Sequence, residues 1–268
     1  MSQFTANLMA GYHWQQSLIA AAAIMALTWM FRALGTAIVP TFRESVRINR
    51  AAFKEKMQRP TYAANQAWNR KWGMTFWVVI FAAIVPFAIS PDLHSVGRVA
   101  RDCVIILLVY DFFYYLVHRF LFHDSGYFKG PLMWVHAVHH RQHNPCRGDS
   151  SFIHPIEVAG GLGLYVGTIL GLSFVLGNFS VPTVVLTWIA FSEINQHNHD
   201  LWQSDRFPFR YLNTMSVMHH NHHAHFTGGN FATISLLYDW MFGTLDYGRG
   251  YGKVVHARPK KDAVEGAS

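Results

Sequence analysis

Long uncharged runs decide what this chain can fold into. Met1 to Phe31 carries no formal charge, and Trp14 to Val39 is interrupted only by Arg32. A helix of that length crosses a hydrocarbon core of ~30 Å. Trp72 to Pro91 is a second uncharged run. A third follows Arg101 and Asp102, from Cys103 through Val109 and on from Tyr110 to Val117, with one internal carboxylate at Asp111. Val158 to Ser192 holds 35 residues without a charge and is broken by Gly177, Asn178 and Pro182. It reads as a helical hairpin, either two short spans or a re-entrant pair. No basic residue precedes the first run and no small-residue cleavage site follows it, which sets it apart from a signal peptide. The expected fold is an all-α polytopic membrane protein of about four to five transmembrane or re-entrant helices.

Charge gives the orientation. Only 14% of the side chains are charged, against about 25% in soluble domains, so the formal net charge of +7 need not mean a nucleic-acid partner. Residues 41–72 hold eight basic side chains (Arg43, Arg47, Arg50, Lys54, Lys56, Arg59, Arg70, Lys71) against Glu44 and Glu55, which is six of that excess. Basic loops stay in the cytoplasm. With residues 41–72 there, Asp92 to Gly97 is a short outer loop and the third run exits into the cytoplasm at His118. The hairpin returns the chain to the side it left, so residues 118–154 and 197–225 share the cytoplasmic side. Within the hairpin, Ala159, Gly163, Gly167 and Gly171 recur every four residues and predict a small-residue ridge for close helix approach.

The second anomaly is acid–base. The chain has 17 histidines against 15 aspartates and glutamates, and 14 of those histidines lie between His118 and His225. Two cysteines, Cys103 and Cys146, exclude a disulfide scaffold, a four-cysteine iron–sulfur cluster and a zinc ribbon. Any bound metal must rest on imidazole. His136, His139 and His140 stand as His-x-x-His-His, and His219, His222 and His223 repeat the spacing. On a helix this spans about 100° and turns three rings toward one point. His118 and His123 lie about 140° apart on a regular helix, so they either serve two metals or straddle a distorted helix end. Eight such ligands suit two ions, and imidazole alone accepts Zn, Cu, Fe or Ni. His13, His94 and His256 are read as interfacial or solvated. His143, His220 and His225 flank the boxes without an assigned role.

Together these residues resemble the fatty acid hydroxylase and sterol desaturase superfamily of integral-membrane di-iron enzymes. Asp111, Tyr114, Tyr115, His118, Arg119 and His123 are similar to its first histidine box, with an upstream aspartate. Trp134, His136, His139 and His140 resemble the second, followed by His154, Pro155 and Glu157. Gln196, His197 and Asn198 resemble the intervening single-histidine element, although His199 is also available with Asn195 four positions before it; the motif match favours His197. His219, His222 and His223 resemble the third box, and Asn230, Asp239, Phe242, Gly243 and Thr244 the terminal signature. The first box has four residues between its histidines, as in acyl desaturases and some acyl hydroxylases, where many sterol-type members have three. The resemblance covers about residues 100 to 247, within a single membrane-integral domain of anchor (1–100), catalytic region (101–247) and tail (248–268).

The resemblance implies two ferrous ions, although zinc or another metal also fits such ligands in a purified sample. It further implies O2, a lipid substrate drawn from the bilayer, and a separate ferredoxin or cytochrome electron donor with its reductase. The reaction would be hydroxylation of an unactivated C–H bond, with a desaturase or methyl oxidase on a sterol- or carotenoid-type lipid as the alternative. No catalytic residue is assigned apart from the metal ligands. Asp111, Glu157, Glu193 and Asp239 are candidates to orient ligand rings by accepting their distal N–H. Competing classes are a histidine-rich metal transporter, which predicts ligands strung along a transmembrane path, and a membrane haem cytochrome, which needs only two histidines.

Overall fold

A computed structural model describes residues 11–201, 204, 207 and 209–255. His256 and the expected solvated tail from Lys260 to Ser268 lie outside the described residues. Helix α1 (Trp14–Ile38) ends before Pro40, which takes the first helical position of α2 (Pro40–Lys56). Pro60 opens α3 (Pro60–Val79) in the same way. Proline at that position has no missing bond to regret, since the first amides of a helix lack intrahelical acceptors. The expected basic loop is therefore mostly helical, and the second span starts at Pro60 rather than at Trp72. It runs through a π-helical turn (Ile80–Ile84) into α4 (Val85–Ala88).

Helix α5 (Val96–Val117) continues into a second π turn, His118–Phe122. Three short pieces follow, α6 (Met133–His136) and 3-10 turns at His139–Arg141 and Arg147–Ser151. Helix α7 (Pro155–Leu176) is capped by the His154 side chain, and Gly177, with φ of 79°, reverses the chain into α8 (Val181–His197). Helix α9 (Phe209–Ala224), the short α10 (Leu237–Met241) and a hairpin of β1 (Gly250–Tyr251) with β2 (Val254–Val255) complete the described chain. The segment expected as tail thus begins with a small hairpin, and Tyr251 packs edge-on against Phe231.

Among the described residues, four helical stretches are long and apolar enough to cross a membrane: Trp14–Ile38, Pro60–Ala88, Val96–Phe122 and Pro155–Leu176. They and α8 meet in one core, where Ile106 and Tyr110 of α5 face Tyr165 and Ile169 of α7, and Trp188 and Phe191 of α8. Lipid is as apolar as these side chains, so the bundle is held by close packing and by polar pairs such as Tyr165 to Thr187, 2.8 Å, rather than by the hydrophobic effect. At one end the Phe179 amide donates to Ala88 O at 2.9 Å, and Ser90 N to Phe179 O at 2.7 Å, tying the end of the second span to the hairpin turn. At the other end the histidines gather. The small-residue ridge faces outward: Ala159, Gly163, Gly167 and Gly171 are exposed, and a Cβ on any of the three glycines would meet nothing within 4 Å. Among the described residues it packs no other helix, because α7 turns its larger residues, Tyr165 and Ile169, to the core.

Candidate metal centre

Nine buried imidazoles form two groups, His118, His123, His136, His140 and His222 in one, and His139, His199, His219 and His223 in the other. The π turn explains the first pair. Its i to i+5 closure brings His118 and His123 onto one side, with Nε2 atoms 3.3 Å apart, where a regular helix would splay them. The two His-x-x-His-His boxes are predicted to aim three rings at one point; the structure divides each. His136 and His140 enter the five-membered group and His139 the other, while His219 and His223 enter the four-membered group and His222 the first. Residues at i and i+4 share a group and the residue between them crosses over. His140 and His223 lie nearly parallel between the groups, with ring centroids 4.8 Å apart and planes 23° apart.

The contacts at the centre carry the argument. In the first group, Nε2 of His136 lies 3.0 Å from that of His118 and 3.1 Å from that of His140, which lies 3.1 Å from His222. In the second, Nε2 of His199 lies 3.0 Å from both His139 and His219, and His219 3.2 Å from His223. Where both rings donate through Nδ1, as in His118–His123 and His139–His199, these contacts are not hydrogen bonds. Nδ1 donates to a backbone carbonyl in His118 (Phe231, 2.7 Å), His123 (Phe226, 2.9 Å), His222 (Gly229, 2.7 Å), His139 (Phe152, 3.2 Å) and His199 (Asn195, 2.8 Å). A neutral imidazole has one N–H, so each of these Nε2 atoms presents a bare lone pair. Lone pairs ~3 Å apart repel unless a cation lies between them. Metal–nitrogen bonds of ~2.1 Å put right-angled ligands ~3.0 Å apart and tetrahedral ones ~3.4 Å apart, so the donor set fits two metal ions.

Burial keeps the rings neutral. It lowers the imidazoles of His139 and His222 to about 4, and those of His123, His136, His140, His199, His219 and His223 well below the ordinary histidine range. Phe226 lies over His123 and His140, with centroids 4.8 and 4.9 Å away, and Phe122 stacks on His136 at 5.1 Å. These rings exclude water from the lone pairs.

Among the four carboxylates expected to orient ligand rings, Glu157 is the one that lies against a histidine of the two groups, with its Oε1 2.7 Å from His136 Nδ1. The other three act elsewhere. Asp111 accepts from the amides of Thr233, Ile234 and Ser235 and from the Ser235 hydroxyl, and Asp239 from the amides of Phe231 and Ala232 and the Thr244 hydroxyl. Together they pin residues 231–235, whose first carbonyl receives the His118 proton. Burial raises the Asp239 carboxyl to about 6 against those donors. Glu193 pairs with Arg32 at 2.6 Å and with Arg147 at 2.5 Å.

His197, which the motif match favours over His199, stands outside both groups. Its Nδ1 faces Asp200 at 3.1 Å and its Nε2 lies 2.9 Å from Leu212 O. Helix α8 ends at His197, so the chain turns there and swings His199 inward. His154 is spent on the cap of α7, and His220 lies between Ser216 O and Pro145 O at 2.8 and 3.0 Å. The carbonyls of Phe231, Phe226, Gly229, Phe152 and Asn195 were out of reach of sequence reasoning, since a main-chain acceptor leaves no mark in residue type. Gly229 leaves an indirect one. A Cβ there would stand 1.9 Å from Thr244 O, so Gly229→Ala must displace the segment whose carbonyl holds His222. We expect that variant to lose bound metal and to be cleaved faster between residues 226 and 246 in limited proteolysis, with an unchanged digestion pattern as the contrary result.

A family model for fatty acid hydroxylase matches residues 103–244. The chain is 27% identical over 188 residues to Methylsterol monooxygenase 1-3 of Arabidopsis thaliana, covering 65% of this chain and 57% of that one. It is 27% identical over 179 residues to Very-long-chain aldehyde decarbonylase GL1-10 of Oryza sativa subsp. japonica, covering 63% and 54%. To Sphinganine C4-monooxygenase 2 of Arabidopsis thaliana it is 29% identical over 163 residues, 59% of each. The chain thus spans a little over half the length of these curated relatives. No solved structure matches it significantly.

Proposed function

The chain belongs to the fatty acid hydroxylase family, and from that premise we propose that it is a membrane-bound di-iron oxygenase that hydroxylates an unactivated C–H bond of a lipid. The observation that carries this reading is the pair of neutral, buried lone-pair clusters with Nε2 spacings of 3.0 to 3.3 Å. One iron would be held by His118, His123, His136, His140 and His222, and the other by His139, His199, His219 and His223. Iron bound there supplies activation of dioxygen and abstraction of hydrogen from carbon.

The chain's own residues do the rest. Main-chain carbonyls and Glu157 fix the tautomers of six of the nine rings with Nε2 turned inward, and the phenylalanine rings keep the clusters dry. Hydroxylation places one oxygen atom of O2 in the C–H bond and reduces the other to water, which consumes two electrons and two protons. The cysteine count leaves no room for a resident iron–sulfur carrier, in keeping with a separate ferredoxin or cytochrome and its reductase. The basic helix α2 packs against the histidine-bearing loops, with Asn49 Oδ1 accepting from Arg147 N at 2.8 Å and Leu201 N at 3.0 Å; this supports a cytoplasmic metal centre. Gathering of all nine rings at one end of the bundle speaks against a transport path. Methyl oxidation of a sterol-like lipid is the second reading, favoured by the methylsterol monooxygenases among the relatives.

Comparative lipid mass spectrometry of host membranes with and without the chain tests the function. A product heavier by one oxygen atom supports hydroxylation, one lighter by two hydrogens supports desaturation, and an unchanged lipid profile overturns both. Glu157→Ala should weaken iron retention against a chelator about 10- to 100-fold, with Glu157→Gln restoring part of it. Equal retention in all three proteins would remove Glu157 from the ligand-orienting role.

A further inference from the structure

A cleft of about 1800 Å³ opens between α1, α2, α8 and α9. Its inner wall is apolar, built from Met25 and Trp29 of α1, Trp77, Leu162, and Trp188 and Ile189 of α8. Its outer end is polar, where Arg32 and Arg147 meet at Glu193. A small separate cavity borders His219 and is lined by Asn198, Met218 and Asn230 among others. Met215 lines both. It is 5% exposed and precedes His219 by four residues on α9, so the two side chains lie on the same helix face. Met215 therefore stands between the cleft and the small cavity that borders His219.

We propose that Met215 is a specificity-determining gate: the aliphatic chain of an amphiphile lies in the cleft with its head at the Arg32–Glu193–Arg147 end, and Met215 sets which carbon reaches the metal centre. This rests on the lipid-oxygenase reading for its meaning, but not for its test. The occupant follows from the walls. The apolar section is formed by α1, a candidate membrane span, and lies open to a hydrocarbon chain, while the charged end sits beside the basic helix α2 at the level of the metal centre. Methionine suits a gate because its unbranched side chain swings among rotamers at little cost.

Thiol labelling tests this without iron turnover. In a Cys103→Ser background, Met215→Cys and, separately, Met218→Cys are treated in purified full-length protein with hexadecyl methanethiosulfonate or with a small cationic methanethiosulfonate. Peptide mass spectrometry then locates the adducts. We expect the thiol introduced at 215 to take the hexadecyl adduct and not the cationic one, and the thiol at 218, on the small cavity, to take neither. Absence of the hexadecyl adduct at 215 while bound metal is retained, labelling by the cationic reagent, or equal labelling at 218 would each overturn the gate. Should Met215→Cys lose its metal, the unmodified protein is photolabelled with hexadecanol carrying a terminal diazirine; adducts on the Met215 peptide support the proposal, and adducts confined to other peptides overturn it. Hexadecyl labelling at 215 in a protein that yields no oxidised lipid would leave the gate standing and remove the oxygenase function.

Discussion

Replacing His199 with alanine is expected to abolish lipid oxidation, whereas replacing His197 with alanine should leave it measurable. The contrast is expected to be large because the two residues, two positions apart where α8 ends, stand in different surroundings. His199 Nε2 stands 3.0 Å from two other imidazole nitrogens, and its Nδ1 is held by Asn195 O. Without it the four-histidine group keeps three rings and an apolar gap. The expected loss exceeds the ~100-fold that removal of an orienting partner costs a metal site. His197 faces Asp200 and Leu212 O, so its loss disturbs a turn and lowers activity without removing a ligand. Lipid product and bound iron are the readouts, measured on the same preparations. Equal loss in both variants, or greater loss in His197→Ala, would return His197 to the ligand set.

The second large effect is expected at Asp111, which touches no histidine among the described residues. Its carboxylate receives three consecutive amides and a hydroxyl from residues 233–235. Asp111→Ala would strand those buried donors, at about 1–3 kcal/mol each. The segment they anchor carries the Phe231 carbonyl that fixes His118, so the loss of order propagates to the five-histidine group. A drop in thermal stability together with loss of iron is expected, with Asp111→Asn intermediate because the amide keeps one acceptor oxygen. A variant with full stability and full iron content would show that the 231–235 segment holds its position by other means.

Much of this was legible in the sequence because the signals are local. Charge-free length marks the spans, Gly177 marks the hairpin, and three histidine-bearing segments mark a metal centre. What escaped depends on geometry that residue types do not encode. The division of each His-x-x-His-His box between two groups arises from facing boxes on separate segments, one of them a regular helix and the other a broken turn. The placement of His118 and His123 together requires a π turn, which leaves no periodicity to read. His197 and His199 are separated only by where α8 stops. Residues 41–72 looked like a loop because their charges hide an amphipathic helix and an early span, both opened by proline. The Ala159–Gly171 ridge has the spacing of a packing face, yet spacing cannot say which way a face points.

The central claim, that this chain inserts oxygen from O2 into a lipid at its histidine-held metal centre, is tested most directly by supplying isotopically heavy dioxygen. Membranes containing the full chain and its electron donors are incubated with that gas, and the extracted lipids are analysed by mass spectrometry. The account predicts a lipid bearing one heavy oxygen atom, absent when His199→Ala replaces the native chain. A lipid profile without heavy oxygen, or heavy oxygen incorporated equally by the His199→Ala protein, would contradict it.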